Sequence, residues 1–396
     1  MSGTSAVGSV GVPGLRTAAR RLVPIVVFGI VPLAAVCLLL ASSLETSSRL
    51  AFWDFHALWN AGHDVLHGRD PYPPASRDVL AGEQAFVYPA PAAVAAVPFA
   101  LLPFRASGVA FEVLSVAALL LALRIAGVRD WRCFGLAFLY RPVLHALSLG
   151  AVSPFLALGL AIAWRWRDRR WVAAGAVAAL ILLKVFLWPL VLWLAFTRRL
   201  MTAALAVAFT AGVSLAGWSV VGFAGLRAYP HVLGLLSKIL EGKSYSLVAL
   251  GLSLGAGATA ARALAALVGL ACLALVAWHG RKTGADAWTF TAAIAAALAL
   301  SPIVWLHYFV LLLVPLAIVS PRLGPLWALP LAFWAIGGQS TDPAIWRGWS
   351  ISPNLSPTPV GSLGLIVYGV GAAAVTLGAV GYTARRAARA RAPVNP

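Results

Sequence analysis

The chain has 396 residues, 61% of them hydrophobic and only 11% charged, with a mean hydropathy of +0.89 and a net charge of +18. Soluble domains carry about 25% charged residues, so this composition excludes a soluble enzyme and predicts an all-α polytopic membrane protein, the architecture in which recurrent apolar runs satisfy their own backbone within a bilayer. The positive charge does not point to nucleic acid, because it lies in short runs between apolar segments: Arg16, Arg20 and Arg21; Arg165 to Arg170; Arg198 and Arg199; Arg281 and Lys282; Arg385 to Arg391. That is the positive-inside pattern, which orients spans against an anionic cytoplasmic leaflet.

Residues 1–21 are rich in Gly, Ser and Arg and are expected to form a disordered cytoplasmic tail ahead of a transmembrane domain over 22–383. The run from Leu22 to Ala41 is too long and too evenly apolar for a signal-peptide core and reads as an uncleaved first span. A first outer loop, 42–86, then holds six of the twelve acidic residues and three of the seven histidines. Within it Phe52, Phe55, Leu58, Trp59, Gly62 and Leu66 recur at helical spacing, which predicts an amphipathic helix lying on the outer membrane surface.

Further spans are expected from Val87 to Phe104, with its prolines, and at Ser107–Ile125, Cys133–Leu149 and Val152–Trp166. The run Trp171–Phe196 has basic clusters at both ends, so it is expected to form a hairpin with its tip near Lys184. Spans at Leu200–Phe223, Ala260–Trp278, Trp288–Leu300, Trp305–Val319, Leu326–Gly338 and Leu363–Tyr382 complete a count of about twelve. Outer loops are placed at 224–246 and 339–361, and a basic cytoplasmic tail at 384–396. Cys37, Cys133 and Cys272 lie in or beside apolar runs with no paired spacing, so no disulfide framework or zinc site is read from them.

Ionisable groups at or within a bilayer are costly and are functional candidates for that reason. Asp54 follows the aromatic pair Phe52-Trp53, which anchors at an interface, so its carboxylate meets water where it can accept a proton from a hydroxyl group; a solvated loop acid is the plainer reading. His56, His63 and His67 form a polar face. His63 and His67 are four apart, as helix-borne metal ligands are, but no zinc-peptidase pattern surrounds them. Lys184 interrupts an apolar run and needs either an anion such as a lipid phosphate or room to snorkel. His307 follows Pro302 and Trp305 at a span end, where it can bond a phosphate, a sugar hydroxyl or a backbone carbonyl. Glu112 is expected to pair with an arginine inside the bundle, Arg141 and His145 are ionisable groups within the expected span Cys133–Leu149, and His279 opens a basic cytoplasmic loop. A transporter would place such groups at the bilayer midplane in matching halves, whereas here they gather at one face and no halves match.

Taken in order, "DFHALWNAGHDVLHGRDPY", "FVYPAPAAVAAVPFALLPF", "SLGAVSPFLALGLAIAW", "LLKVFLWPLVLWLAFTRR" and "LSPIVWLHYFVLLLVP" resemble glycosyltransferase family 87, the polyprenol-phosphate-mannose-dependent mannosyltransferases, over roughly residues 20–385. The resemblance implies a GT-C type fold in the plasma membrane with its active site on the outer face. It implies Asp54 as catalytic base and matches Lys184, Trp305 and His307 to family positions; on that chemistry Lys184, His307 and Arg347 are expected to contact the donor phosphate, and His56, Trp59, His63, His67, Tyr72, Tyr88 and Trp305 the acceptor or sugar. The implied partners are a polyprenyl-phosphate mannose donor, a glycolipid acceptor such as a phosphatidylinositol mannoside, and membrane lipids, with no metal or other cofactor. One departure stands out: family members often read Gly-Gln where this chain has Gly150-Ala151.

Overall fold

The computed structural model describes residues 22–45, 52–74, 76, 80, 85–335 and 359–391. The expected tail 1–21 and nearly all of the outer loop 339–361, Arg347 included, lie outside them. Among the described residues every regular element is helical. Five helices are long and apolar enough to cross a bilayer: Leu22–Ser42, Phe104–Ala126, Leu200–Val221, Ala258–His279 and Ile366–Ala390. A sixth crossing arises if Arg141–Leu149 and Ser153–Arg165, bent by 118° at their junction, are taken as one. The other apolar helices have 10–17 residues, too short to span about 30 Å of hydrocarbon at 1.5 Å per residue unless paired or tilted against thinned lipid. The twelve segments read from hydropathy are therefore apolar but not all of spanning length. Breaks at Lys184, Gly150 and several prolines divide them, because an apolar run reports burial and not helix continuity.

The first described helix, from Leu22, passes through a π-helical stretch, Val26–Ile30, into α1 (Val31–Glu45). The predicted loop helix is α2 (Trp53–Leu66), and α3 (Ala90–Ala100) and α4 (Phe104–Ala126) follow. Periodicity places α2's apolar face correctly, but most of that face rests on protein: Phe55, Leu58 and Gly62 are buried, while Leu66 at its end stays exposed. Phe55 is fully buried, its ring 4.7 Å from Phe111, 5.7 Å from Phe99 and 6.1 Å from Phe104. The alanines of α3 make this possible, since Ala92, Ala93 and Ala96 are all buried and offer a flat surface. At Gly62 the two backbones meet so closely that a Cβ would lie 2.7 Å from the Ala96 carbonyl oxygen.

The expected span Cys133–Leu149 divides into α5 (Trp131–Ala137) and α6 (Arg141–Leu149), and α7 (Ser153–Arg165) returns from it to pack along α4. The hairpin is as expected: α8 (Arg170–Leu183) stops at Lys184 and α9 (Pro189–Phe196) runs back. Its feet are tied together, with Arg199 bound to Asp168 at 2.8 Å and both Arg199 and Arg167 bound to Asp286 at 2.9 Å. Both basic clusters thus lie together at the feet of the hairpin, and Lys184 lies a 14-residue helix away at its tip.

Next come α10 (Leu200–Val221), α11 (Ala224–Leu240), α12 (Leu247–Ser253), α13 (Ala258–His279) and α14 (Asp286–Leu300). The first of the two later outer loops is mostly helix, since α11 continues through Pro230. A 3-10 segment, Leu306–Leu312, leads into α15 (Leu313–Val319); a second, Pro325–Ala335, follows, and α16 (Pro359–Ala390) carries the start of the basic tail as helix. One extended cluster of buried apolar side chains, reaching from Val36 to Val380, joins these elements. Glu112 on α4 is fully buried within the bundle, and neither carboxyl oxygen has a partner among the described residues, so the expected arginine pair is not formed.

Candidate active site

The site starts from a strained residue. Phe52 has φ 58°, a left-handed conformation uncommon for a bulky side chain, and it is almost completely buried. Its N–H donates to the Ser148 carbonyl (3.2 Å) and its ring fills the space that a Cβ on Gly108 would need, 2.6 Å from that position. The strain is maintained by this packing, and it fixes the direction in which the first turn of α2 leaves the end of α6.

Asp54 lies in that first turn. About a quarter of its side chain (23%) is exposed, and its Oδ2 is 3.5 Å from His307 Nε2. Burial pushes the Asp54 carboxyl up to about 6, and the nearby Lys184 ammonium opposes that rise. His307, in the 3-10 segment after Pro302, is almost wholly buried; its Nδ1 has no partner among the described residues, and its ring stacks on His145 of α6 at 5.6 Å. Lys184 leaves the helix in an extended conformation at the hairpin tip. Its Nζ stands 4.0 Å above the Tyr88 ring and 5.4 Å from that of Tyr308, both buried, so two aromatic faces receive the ammonium. Carboxylate, imidazole and ammonium, far apart in sequence, thus converge at the tip of the hairpin, away from the basic clusters at its feet.

Gly150 holds this arrangement from below. It caps α6 with φ +62°, and a Cβ there would lie 2.6 Å from the Phe55 Cβ. Gly150→Ala is expected to lower folding stability by about 2 kcal/mol or more, from left-handed strain and displacement of α2, and to reduce activity through Asp54. Thermal unfolding alongside turnover checks this; a variant with wild-type stability would show that α2 is positioned otherwise. Ala151 beside it is buried.

The remaining expected contacts divide into two groups. Tyr88 is in the site, and Trp305 is half-buried two residues before His307, its carbonyl accepting the Tyr308 N–H at 2.9 Å. Tyr72 lies one layer out: its hydroxyl donates to the Tyr88 carbonyl at 2.8 Å and its ring stacks on Trp218 at 4.9 Å. Tyr72, Asp70, Pro73, Pro74 and Tyr229 border an open pocket of about 320 Å³. His56, two residues after Asp54, packs on Phe104 at 5.0 Å.

The other loop residues are not brought to Asp54. Trp59 donates from Nε1 to the Leu102 carbonyl and stacks on His63. His63 lies nine residues along α2 from Asp54, about 13 Å at 1.5 Å per residue, and its Nδ1 is 3.1 Å from Arg69 Nη2. Arg69 also binds Asp64 at 2.7 Å, and His67 Nδ1 is 2.7 Å from the His63 carbonyl. The i, i+4 histidines are thus satisfied locally. Tyr308 and His145 were not assigned a role from the sequence. The only signals available were an aromatic directly after His307 and a histidine one turn beyond Arg141.

A carboxylate, an imidazole and an ammonium gathered within a many-helix, apolar chain are the arrangement of an integral-membrane protein with a polar site. Residues 86–315, more than half of the chain, match the sequence model of Glycosyltransferase family 87, and the chain belongs to that family of glycosyltransferases. The matched region contains Tyr88, Arg141, His145, Lys184 and His307; Asp54 precedes it. No curated protein and no solved structure matches the chain.

Proposed function

We propose that the protein is an inverting mannosyltransferase that moves mannose from polyprenyl-phosphate mannose to a mannosylated glycolipid, such as a phosphatidylinositol mannoside, forming an α-1,2 linkage. The observation that carries this reading is the convergence of Asp54 with His307 at 3.5 Å and with the Lys184 ammonium held over Tyr88. Asp54 takes the proton of an acceptor hydroxyl, whose oxygen attacks the anomeric carbon on the face opposite the phosphate. The bond from that carbon to the phosphate oxygen breaks with its electron pair, and the leaving lipid monophosphate gains a negative charge. Lys184, His307 and Arg347 receive that charge; preorganised donors of this kind contribute most where the charge develops. Tyr72 and Trp305, with the polar face of α2, are assigned to the acceptor.

In this reading the fold is of GT-C type, with the shorter apolar helices pairing to complete about twelve crossings. The basic clusters at the feet of the hairpin face the cytoplasm of the plasma membrane, so that Asp54 opens to the outer face. The test is transfer by the purified full-length enzyme from polyprenyl-phosphate mannose to a panel of mannosylated lipids, with product linkage read by mass spectrometry and NMR. Transfer to a phosphatidylinositol mannoside with α-1,2 linkage is expected. Turnover only with another polyprenyl-phosphate sugar, or only with lipomannan or arabinomannan, would replace donor or acceptor while keeping the chemistry.

A further inference from the structure

Arg141 is the cation that the site has not yet used. Arg69, Arg132, Arg167, Arg199 and Arg262 each bind a carboxylate at 2.7–2.9 Å. Arg141, half-buried at the start of α6, has no carboxylate or hydrogen-bond acceptor among the described residues. An unpaired guanidinium held among apolar helices is costly, and its surroundings connect it to the site from two sides. One helical turn further along α6 is His145, whose ring stacks on His307 and whose buried Nδ1 has no partner among the described residues. The guanidinium also interacts electrostatically with Tyr245, whose backbone N–H donates to the Val304 carbonyl at 2.7 Å, three residues before His307. On the far side of His307, Asp54 is the carboxylate that pairs with it among the described residues, and Lys184, held over Tyr88, contributes a second permanent cation.

We propose that Arg141 is a phosphate-binding residue that, together with Lys184, holds the phosphate of the lipid-linked sugar donor and of the lipid monophosphate product. This rests on the reading of the substrate as a polyprenyl-phosphate sugar. Two cations against one carboxylate leave one positive charge, which a phosphodiester donor neutralises. When the sugar–oxygen bond breaks, the phosphate oxygen keeps the electron pair and the second charge arises where a guanidinium can bind two oxygens at once. His145 and His307, stacked at 5.6 Å, each carry an Nδ1 with no partner among the described residues.

The test uses the full-length protein in nanodiscs and three probes: a short-chain polyprenyl monophosphate, the corresponding uncharged polyprenol, and inorganic phosphate as competitor. Wild type and Asp54→Asn are expected to bind the monophosphate in preference to the alcohol, and millimolar inorganic phosphate not to displace it. Arg141→Gln is expected to weaken monophosphate binding about tenfold or more, to leave alcohol binding unchanged, and to keep or raise the thermal midpoint, because it removes a costly charge and no pair among the described residues. Monophosphate binding by Arg141→Gln equal to wild type would overturn the inference alone. So would loss of its folding, which would show that the protein itself satisfies the guanidinium, and so would full displacement by inorganic phosphate. A wild type without preference for the monophosphate would overturn the substrate reading as well.

Discussion

Asp54→Asn is expected to lower turnover by about 10²–10⁴-fold, the range that a positioned general base contributes, while leaving donor binding intact and making the protein more stable. The two halves of this expectation have one cause. Burial lifts the Asp54 carboxyl from 3.8 to about 6 against the pull of Lys184. A carboxyl raised on folding stabilises the protein below its unfolded value and loses that contribution as pH rises through its folded value. The ionised group therefore costs on the order of 3 kcal/mol at neutral pH, a cost that neutral asparagine of nearly the same shape does not carry. Catalysis requires the ionised form. Wild-type kcat/KM should accordingly rise with pH to a plateau above about 6, in the same interval over which the thermal midpoint declines, and the asparagine variant should show neither limb at that position. A variant retaining more than a tenth of wild-type turnover would remove Asp54 as the base. A variant less stable than wild type would instead make its contact with His307 structural.

What the sequence reveals here depends on the distance over which a pattern acts. The hairpin around Lys184 was legible because charge on both flanks of one apolar run leaves a single orientation that keeps both clusters on one side, and the Arg199–Asp168 pair closes it. The apolar face of α2 was legible because helical periodicity is local, but periodicity does not say what covers a face. The alanine surface of α3, formed by residues more than thirty positions later, packs against it. Asp54, Lys184 and His307 could each be selected as a polar group expensive to place beside hydrocarbon, and the family resemblance joined them. Their 3.5 Å and 4.0 Å contacts are properties of the fold alone. For His63 and His67 the spacing was real and its use was not readable: four-residue separation serves a metal, a sugar or a neighbouring Arg69 equally well. The helix α11 was hidden by Pro230, which ordinarily argues for a break. Which apolar runs are single crossings was not readable for the complementary reason, that breaks such as those at Lys184 and Gly150 do not reduce hydropathy.

Lys184→Gln separates a catalytic cation from a lysine that only reaches toward an interface. The ammonium is not reaching outward: it is held 4.0 Å above Tyr88 and 5.4 Å from Tyr308, whose ring is itself stacked on Phe186 at 4.9 Å. Glutamine retains much of the length and loses the charge. Turnover is expected to drop about 10²–10³-fold, the scale of losing one preorganised contact to a developing charge, with weaker donor binding accompanying it. Arginine should not restore activity, because a planar guanidinium does not fit a slot shaped for a compact ammonium between two phenol rings. A second readout follows from the opposition of Lys184 to the burial of Asp54. Without the ammonium the carboxyl rises further, so the acid limb of kcat/KM moves above about 6, and the residual activity recovers in part as pH is raised. A snorkelling lysine predicts neither change, since its removal would leave both the rate and the pH profile where they were.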